Sequence, residues 1–199
     1  DGDAIYATKL QSNTTTQYSP DEIHATGLAE VDRIEGEMLD ILDSQGIAGE
    51  SFAERVRIVM EDPAHQFPNT DKGRADMIAY LEDFDRRVMA IAADYFITIP
   101  PQPLEIVRVP EYSQDSSPGG YYNGPALDGS RPGRFYINQK QTADNPRWTL
   151  PTLMIHEGSP GHHFQISTSQ LIEGVPLLRR LSPFSAFSEG WALYSERIA

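Results

Sequence analysis

The chain has 199 residues, with sixteen Lys and Arg against twenty-nine Asp and Glu, a formal net charge of −13 and no cysteine. Without a thiol there is no disulfide, no cysteine nucleophile, no iron–sulfur cluster and no zinc knuckle, so any metal site must use His, Asp and Glu. The acidic balance argues against nucleic acid or an anionic membrane surface as partner, because both select clustered Lys and Arg.

Nor does any apolar stretch approach the roughly 20 residues of a membrane helix. The longest, Val88 to Ile99, is cut by Asp94 and stops at Pro100. Asp1-Gly2-Asp3 has neither the basic start nor the apolar centre of a signal peptide, so a targeting segment is expected to be removed or absent. Beyond the short polar run Ser12 to Gln17 there is no low-complexity tract, and no internal repeat.

Three helices are predicted in the first half. Ser19 reads as an N-cap, with Pro20 at the first helical position and Glu22 placed to return a hydrogen bond. Ile23, Val31, Ile34, Met38 and Ile41 form the apolar stripe of that helix. A second helix is predicted from Ser51 to about Asp62, closed by Pro63. A third runs from about Lys72 to Phe96, with Met77, Leu81, Phe84, Val88 and Ile91 buried and Asp83, Asp85, Arg86 and Arg87 wet. His24 and His65 are isolated and are read as surface or capping residues.

Pro100, Pro101 and Pro103 end this helical half, since proline removes amide donors and forces extended backbone. The boundary expected is therefore residues 1–103 for a helical region and 104–199 for a small sheet with further helices. Residues 104–109 alternate like a strand. Tyr121-Tyr122 and Arg134 to Asn138 are further short strands, with an evident turn at Asp128-Gly129-Ser130-Arg131-Pro132-Gly133. The fold class expected is α+β, predominantly helical, with a small antiparallel sheet ahead of helices that resume near Thr149.

Three of the five histidines fall within eight residues: His156-Glu157-Gly158-Ser159-Pro160-Gly161-His162-His163. A His followed by Glu, with further His nearby, is what hydrolytic zinc sites use: imidazoles hold the ion, and the carboxylate takes a proton from water. In the usual His-Glu-x-x-His pattern the ligands lie one turn apart, about 6 Å along the helix. Here, in an unbroken helix, His163 would sit about 10 Å beyond His156 and His162 would point elsewhere. Pro160-Gly161 supplies the remedy, a two-residue bulge that folds the second His back beside the first. His162 needs the smaller bulge, and His163 remains the alternative.

Downstream, Phe187 to Glu196 offers two carboxylates on a helical pattern. Glu189 is the expected third ligand, reached through a loop around Gly174 to Pro183. Glu196, two turns on and on the same face, suits a partner for a ligand His. Two His, one Glu and an open position for water make a catalytic rather than a structural zinc site. Trp191 and Tyr194 are expected to pack against the metal helix. Arg179-Arg180 could bind a substrate carboxylate, but paired arginines beside a loop are usually solvated.

His-Glu-x-x-Pro-Gly-His-His-x-Gln followed by Glu-Gly-Trp-Ala-Leu-Tyr-x-Glu resembles the bacterial domain-of-unknown-function family 885, which is grouped with gluzincin-type zinc metallopeptidases. Thr14-Thr15, Ser19-Pro20-Asp21-Glu22-Ile23 and the segment Pro125 to Asn138 extend the likeness over most of the chain. The resemblance implies a zincin-like fold, with His156, His162 or His163, and Glu189 as ligands of Zn²⁺ and Glu157 as catalytic base. It also implies a longer protein, many members carrying a secretory or lipoprotein signal, and so a periplasmic or cell-envelope address. The last helix, ending Arg197-Ile198-Ala199 without Gly, Asn or Pro, agrees with a chain that continues.

The activity expected is metal-assisted hydrolysis of a peptide, with the strand containing Tyr136 and Asn138 aligning the substrate by edge pairing. An oxyanion donor would come from the continuation of the chain or from Tyr122, Tyr136 or Tyr194. The alternative is a non-catalytic helical interaction protein whose site is degenerate, with or without a metal.

Overall fold

The computed structural model describes residues 1–181 and 184–199, and the protein is α+β and mostly helical, with one three-stranded sheet. Internal contacts divide it into two units, the first comprising Asp1–His65 and Phe184–Ala186, the second the remainder. The long helix following Thr70 falls in the second unit, together with the sheet on which it packs.

In the first unit, α1 (Gly2–Thr14) precedes α2 (Pro20–Ser44) and α3 (Phe52–Glu61). Helix α1 has no buried residue, so it offered no apolar period from which to be read. The α2 start is as its sequence implies. The Ser19 amide donates to Glu22 Oε2 at 2.7 Å, and the Glu22 amide donates to Ser19 Oγ at 3.3 Å, a reciprocal capping box. Its apolar stripe is not buried as expected. Val31, Ile34 and Ile41 are exposed, and Leu42 is the buried residue of the helix. His24 is exposed on α2, and His65 ends a 3-10 turn, Pro63–His65.

The second unit is built on α4 (Asp71–Tyr95), started by Thr70 Oγ1 accepting from the Gly73 amide at 3.1 Å. Met77 and Leu81 of α4, Ile106 of β1 (Leu104–Arg108), Phe135 and Ile137 of β3 (Gly133–Ile137), and Leu150 and Met154 of α5 (Leu150–Glu157) form its core with Phe67. Burying each such side chain contributes roughly 1.5–3 kcal/mol before entropy is charged against it. Gln139 and Arg74 exchange hydrogen bonds with each other's main chain, at 2.8 and 3.0 Å, fastening the end of β3 to α4.

The three expected strands are present, but the sheet is mixed rather than antiparallel. Its order is β1-β3-β2, with β2 at Gly120–Asn123. β1 runs parallel to β3, Ile106 opposite Phe135, and β2 runs antiparallel to it, Tyr121 opposite Tyr136. Residues 109–132 are ample for the crossover that a parallel pair needs. Between β2 and β3 the expected turn is closed by Gly129, whose φ of 75° suits glycine.

Helices α6 (His162–Leu171), α7 (Leu177–Leu181) and α8 (Ser185–Ile198) complete the chain. Residues expected to form one loop from Gly174 to Pro183 thus include the helical turn α7, and Ser182 and Pro183 lie outside the described residues. Arg180 of α7 donates to the Gln170 carbonyl, so it is engaged within the fold.

On α4 the wet face is one residue narrower than its sequence implies, and the buried one shorter. Ile91 is exposed, whereas Asp85 is largely covered and lies by the Ser159 hydroxyl. Burial raises the Asp85 carboxyl above its ordinary range, opposed in part by the Ser159 hydroxyl. The folded state therefore holds this proton more tightly than the unfolded chain does. The stability it contributes is complete below the unfolded pKa of about 3.9 and is lost as pH rises through the higher folded value. Asp85→Asn is expected to stabilise the metal-free protein at pH 7 by roughly 1–3 kcal/mol, about 2–4 °C in Tm for each. The gain should vanish toward pH 4; thermal melts of both proteins across pH 4–8 check it.

Candidate metal centre

Helix α5 carries His156 and Glu157 on its last turn and stops at Gly158. The chain then turns through Ser159, a cis Pro160 and Gly161, and α6 starts at His162. The device is a full break between two helices, not the bulge within one that the sequence suggested. Main-chain hydrogen bonds cross the break, from the Gly161 amide to the Ile155 carbonyl at 3.0 Å and from the His163 amide to the Gly158 carbonyl at 3.2 Å. Trp191 of α8 donates from Nε1 to the Pro160 carbonyl at 2.9 Å, which locks the turn from outside. Tyr194 sits beside the Trp191 ring but is exposed.

Glycine at 161 is a steric requirement. A Cβ there would lie 2.1 Å from the His156 carbonyl oxygen and 2.2 Å from that of Ile155. Gly161→Ala is therefore expected to push the two ligand-bearing helices apart, destabilising the metal-free protein by roughly 1–3 kcal/mol and weakening zinc binding about tenfold or more. Gly190→Ala, in α8 next to Glu189 but with open space around the added atom, is the control, expected to be neutral or stabilising by about 0.5–1 kcal/mol. Melting curves and zinc competition titrations read both.

The break brings His162 beside His156, their rings 4.8 Å apart and near perpendicular at 85°. Glu189 reaches in from α8, with Oε2 3.2 Å from His156 Nε2 and 3.5 Å from His162 Nε2. One ligand atom from each of the three lies within 4.8 Å of the others. His163 turns away. Its Nδ1 is 2.8 Å from the Tyr122 hydroxyl and its Nε2 is 3.0 Å from the Gln102 carbonyl, so it has no part in this cluster.

These residues fit a small divalent cation. Ligand atoms about 2.0–2.1 Å from a tetrahedral zinc stand about 3.3 Å from one another, which is the separation Glu189 keeps from both imidazoles. Protonation tells the same way. His156 Nδ1 lies 2.6 Å from Glu196 Oε1 and is placed to donate to it, while Nε2 faces Glu189 Oε2 at 3.2 Å. A ring nitrogen and a carboxylate oxygen at that distance call for a proton or a metal ion between them. Burial pushes His162 below its ordinary pKa, against the pull of Glu189, and so favours the neutral imidazole that a metal requires.

Glu196 thus holds the tautomer and orientation of His156 from behind. Glu196→Ala is expected to cost about 10–100-fold in zinc affinity without removing a ligand, measurable by competition with a chromophoric chelator.

Glu157, buried next to this cluster, follows His156 on α5's last turn. Its carboxyl is raised by burial and by the Glu189 charge, and lowered by His156 and by the Tyr122 backbone amide, burial being the largest cause. A raised carboxyl is a stronger base. An open cleft of about 400 Å³ adjoins it, with Trp148, Thr152 and Leu153 beside His156 and Glu157.

The two residues expected to align substrate are committed elsewhere. Tyr136 stacks on Tyr121, ring centres 4.8 Å apart, and the Asn138 amide donates to the carbonyls of Gln114 and Ser117 at 2.9 and 3.2 Å. Tyr136 lies on β3, the central strand, which has no free edge, and Asn138 just past it; the edge strand near α5 is β2. Tyr122 is likewise no free oxyanion donor, for its hydroxyl lies 2.8 Å from His163 Nδ1 and burial pushes its pKa up to about 12. Sequence reasoning missed the contact of Tyr122 with His163 and the role of Trp191 Nε1, since both join residues far apart in the chain.

The model of a family described as bacterial protein of unknown function (DUF885) matches residues 1–199. A candidate lipoprotein from Colwellia psychrerythraea, of known crystal structure, is 38% identical with a TM-score of 0.96, over 100% of this chain and 34% of that one. This chain therefore spans about one third of the length of that relative. No curated protein matches.

Proposed function

The chain belongs to the bacterial DUF885 family, and from its site we propose that it carries the catalytic centre of a zinc-dependent peptidase with a zincin-like arrangement. The observation that supports this most is the convergence of His156, His162 and Glu189 beside the buried carboxylate of Glu157, with Glu196 behind His156. When bound there, zinc would polarise the scissile carbonyl and lower the pKa of water from about 15.7 to near 7.

The protein's own residues do the rest. His156 and His162 each offer a ring nitrogen, and Glu189 a carboxylate oxygen from α8. Glu157 takes the proton of the attacking water at its carboxylate and returns it to the leaving amine nitrogen. An extended peptide would lie along the outer edge of β2, adjacent to α5, beside the Tyr122 amide that faces Glu157. The cleft walled by Trp148 and Leu153 gives one of its side chains an apolar seat.

The test is digestion of a peptide library by the zinc-loaded whole protein, with and without chelator, read by mass spectrometry. Cleavage that is lost with chelator and restored by zinc is expected. Stoichiometric zinc without any cleavage would favour the degenerate, non-catalytic reading instead.

A further inference from the structure

We propose that His163, Tyr122 and Gly133 form a buried clamp that ties the outer strand β2 to the ligand-bearing helix α6 and so aims Glu157. His163 and Tyr122 are then positioning residues for the base. The effect on turnover rests on the peptidase reading above; the clamp itself rests on geometry alone.

His163 follows a ligand His in sequence yet faces the opposite way. The Gln102 carbonyl, 3.0 Å from Nε2, can only accept, so Nε2 carries the hydrogen and Nδ1 is left to accept from the Tyr122 hydroxyl at 2.8 Å. Both ring nitrogens are thereby used, and the ring is almost wholly buried. Gly133, on the strand paired with β2, makes the room. A Cβ there would stand 2.4 Å from the Tyr122 hydroxyl oxygen and 2.7 Å from His163 Nδ1, so any larger residue would wedge the pair apart.

The contact continues along α6. Gly124, just past β2, comes so close that a Cβ would meet Ile166 at 2.9 Å, and the Gln170 amide donates to the Pro125 carbonyl at 3.2 Å. One end of Tyr122 is thus fastened to α6 by its side chain, while its main-chain amide faces the Glu157 carboxylate. Release of the hydroxyl frees the strand that meets Glu157, without touching His156, His162 or Glu189.

Tyr122→Phe and, independently, Gly133→Ala test this in the whole protein. Three quantities are read: zinc affinity, amide hydrogen exchange of residues 120–123, and kcat and KM on a peptide that the wild type cuts. Zinc affinity is expected to stay within about threefold, since no ligand is removed. Exchange at 120–123 should quicken about fivefold or more while that of α4 is unchanged, and kcat should fall about 10–100-fold with KM little altered. A clamp with a merely structural role would move zinc affinity and exchange across the unit together, and would overturn the proposal. So would exchange and kcat that both stay at wild-type values in Tyr122→Phe. If the wild type binds zinc and cleaves nothing, the peptidase reading fails, and exchange at 120–123 still decides whether the clamp exists.

Discussion

Glu157→Gln is expected to lower peptide hydrolysis about 10²–10⁴-fold, the range that a positioned general base contributes, while zinc binding stays within about threefold. Glutamine keeps the shape of the side chain and its ability to accept from the Tyr122 amide but has no basicity. Because Glu157 lies next to the ligands without being one of them, its loss separates proton transfer from metal binding. The carboxyl is raised chiefly by burial, so replacing it with a neutral amide should leave the metal-free protein at least as stable at pH 7. Parallel zinc titration, melting curves and digestion rates read all three. Full activity in Glu157→Gln would remove the base from this residue.

The second large effect distinguishes the two adjacent histidines. His162→Ala removes one of three ligands and is expected to weaken zinc binding by roughly 3 kcal/mol or more, about 10²-fold at least, on the scale of energies by which small protein sites hold zinc. His163→Gln, which removes no ligand, is expected to change it by less than about tenfold. The contrast is sharp because the two residues are alike in sequence and in burial and differ in what they face: Glu189 for one, Tyr122 and Gln102 for the other. Competition titration against a chelator of known affinity measures both, and equal losses would contradict the assignment.

What was legible in the sequence was local. The capping residue Ser19 acts on an amide three residues on, so the start of α2 follows from neighbouring side chains, whereas the like cap of Thr70 on α4 was not read. Glu189 and Glu196 are two turns apart, and helical spacing alone puts both on the side that meets His156. Pro160-Gly161 announced a break, but the form of the break depends on Gly161 lying against the carbonyls of Ile155 and His156, which no spacing records. Strand pairing is less local still. Alternation located β1, β2 and β3, yet it carries no order, and so the central position of β3 and the parallel partnership of β1 were not readable. The stripe on α2 shows the converse limit, since an amphipathic period tells which residues could be buried together but not that anything covers them. Gly133 read only as the end of a turn, its role beside the site being set by Tyr122 and His163 meeting over it.

X-ray absorption at the zinc edge, combined with a crystal structure of the zinc-loaded protein, tests the metal centre most directly. The result expected is one ion held by Nε2 of His156, Nε2 of His162 and a carboxylate oxygen of Glu189, at about 2.0–2.2 Å, with a fourth position open to solvent. An ion bound elsewhere, or His156 and Glu189 facing separate surroundings with none between them, would contradict it.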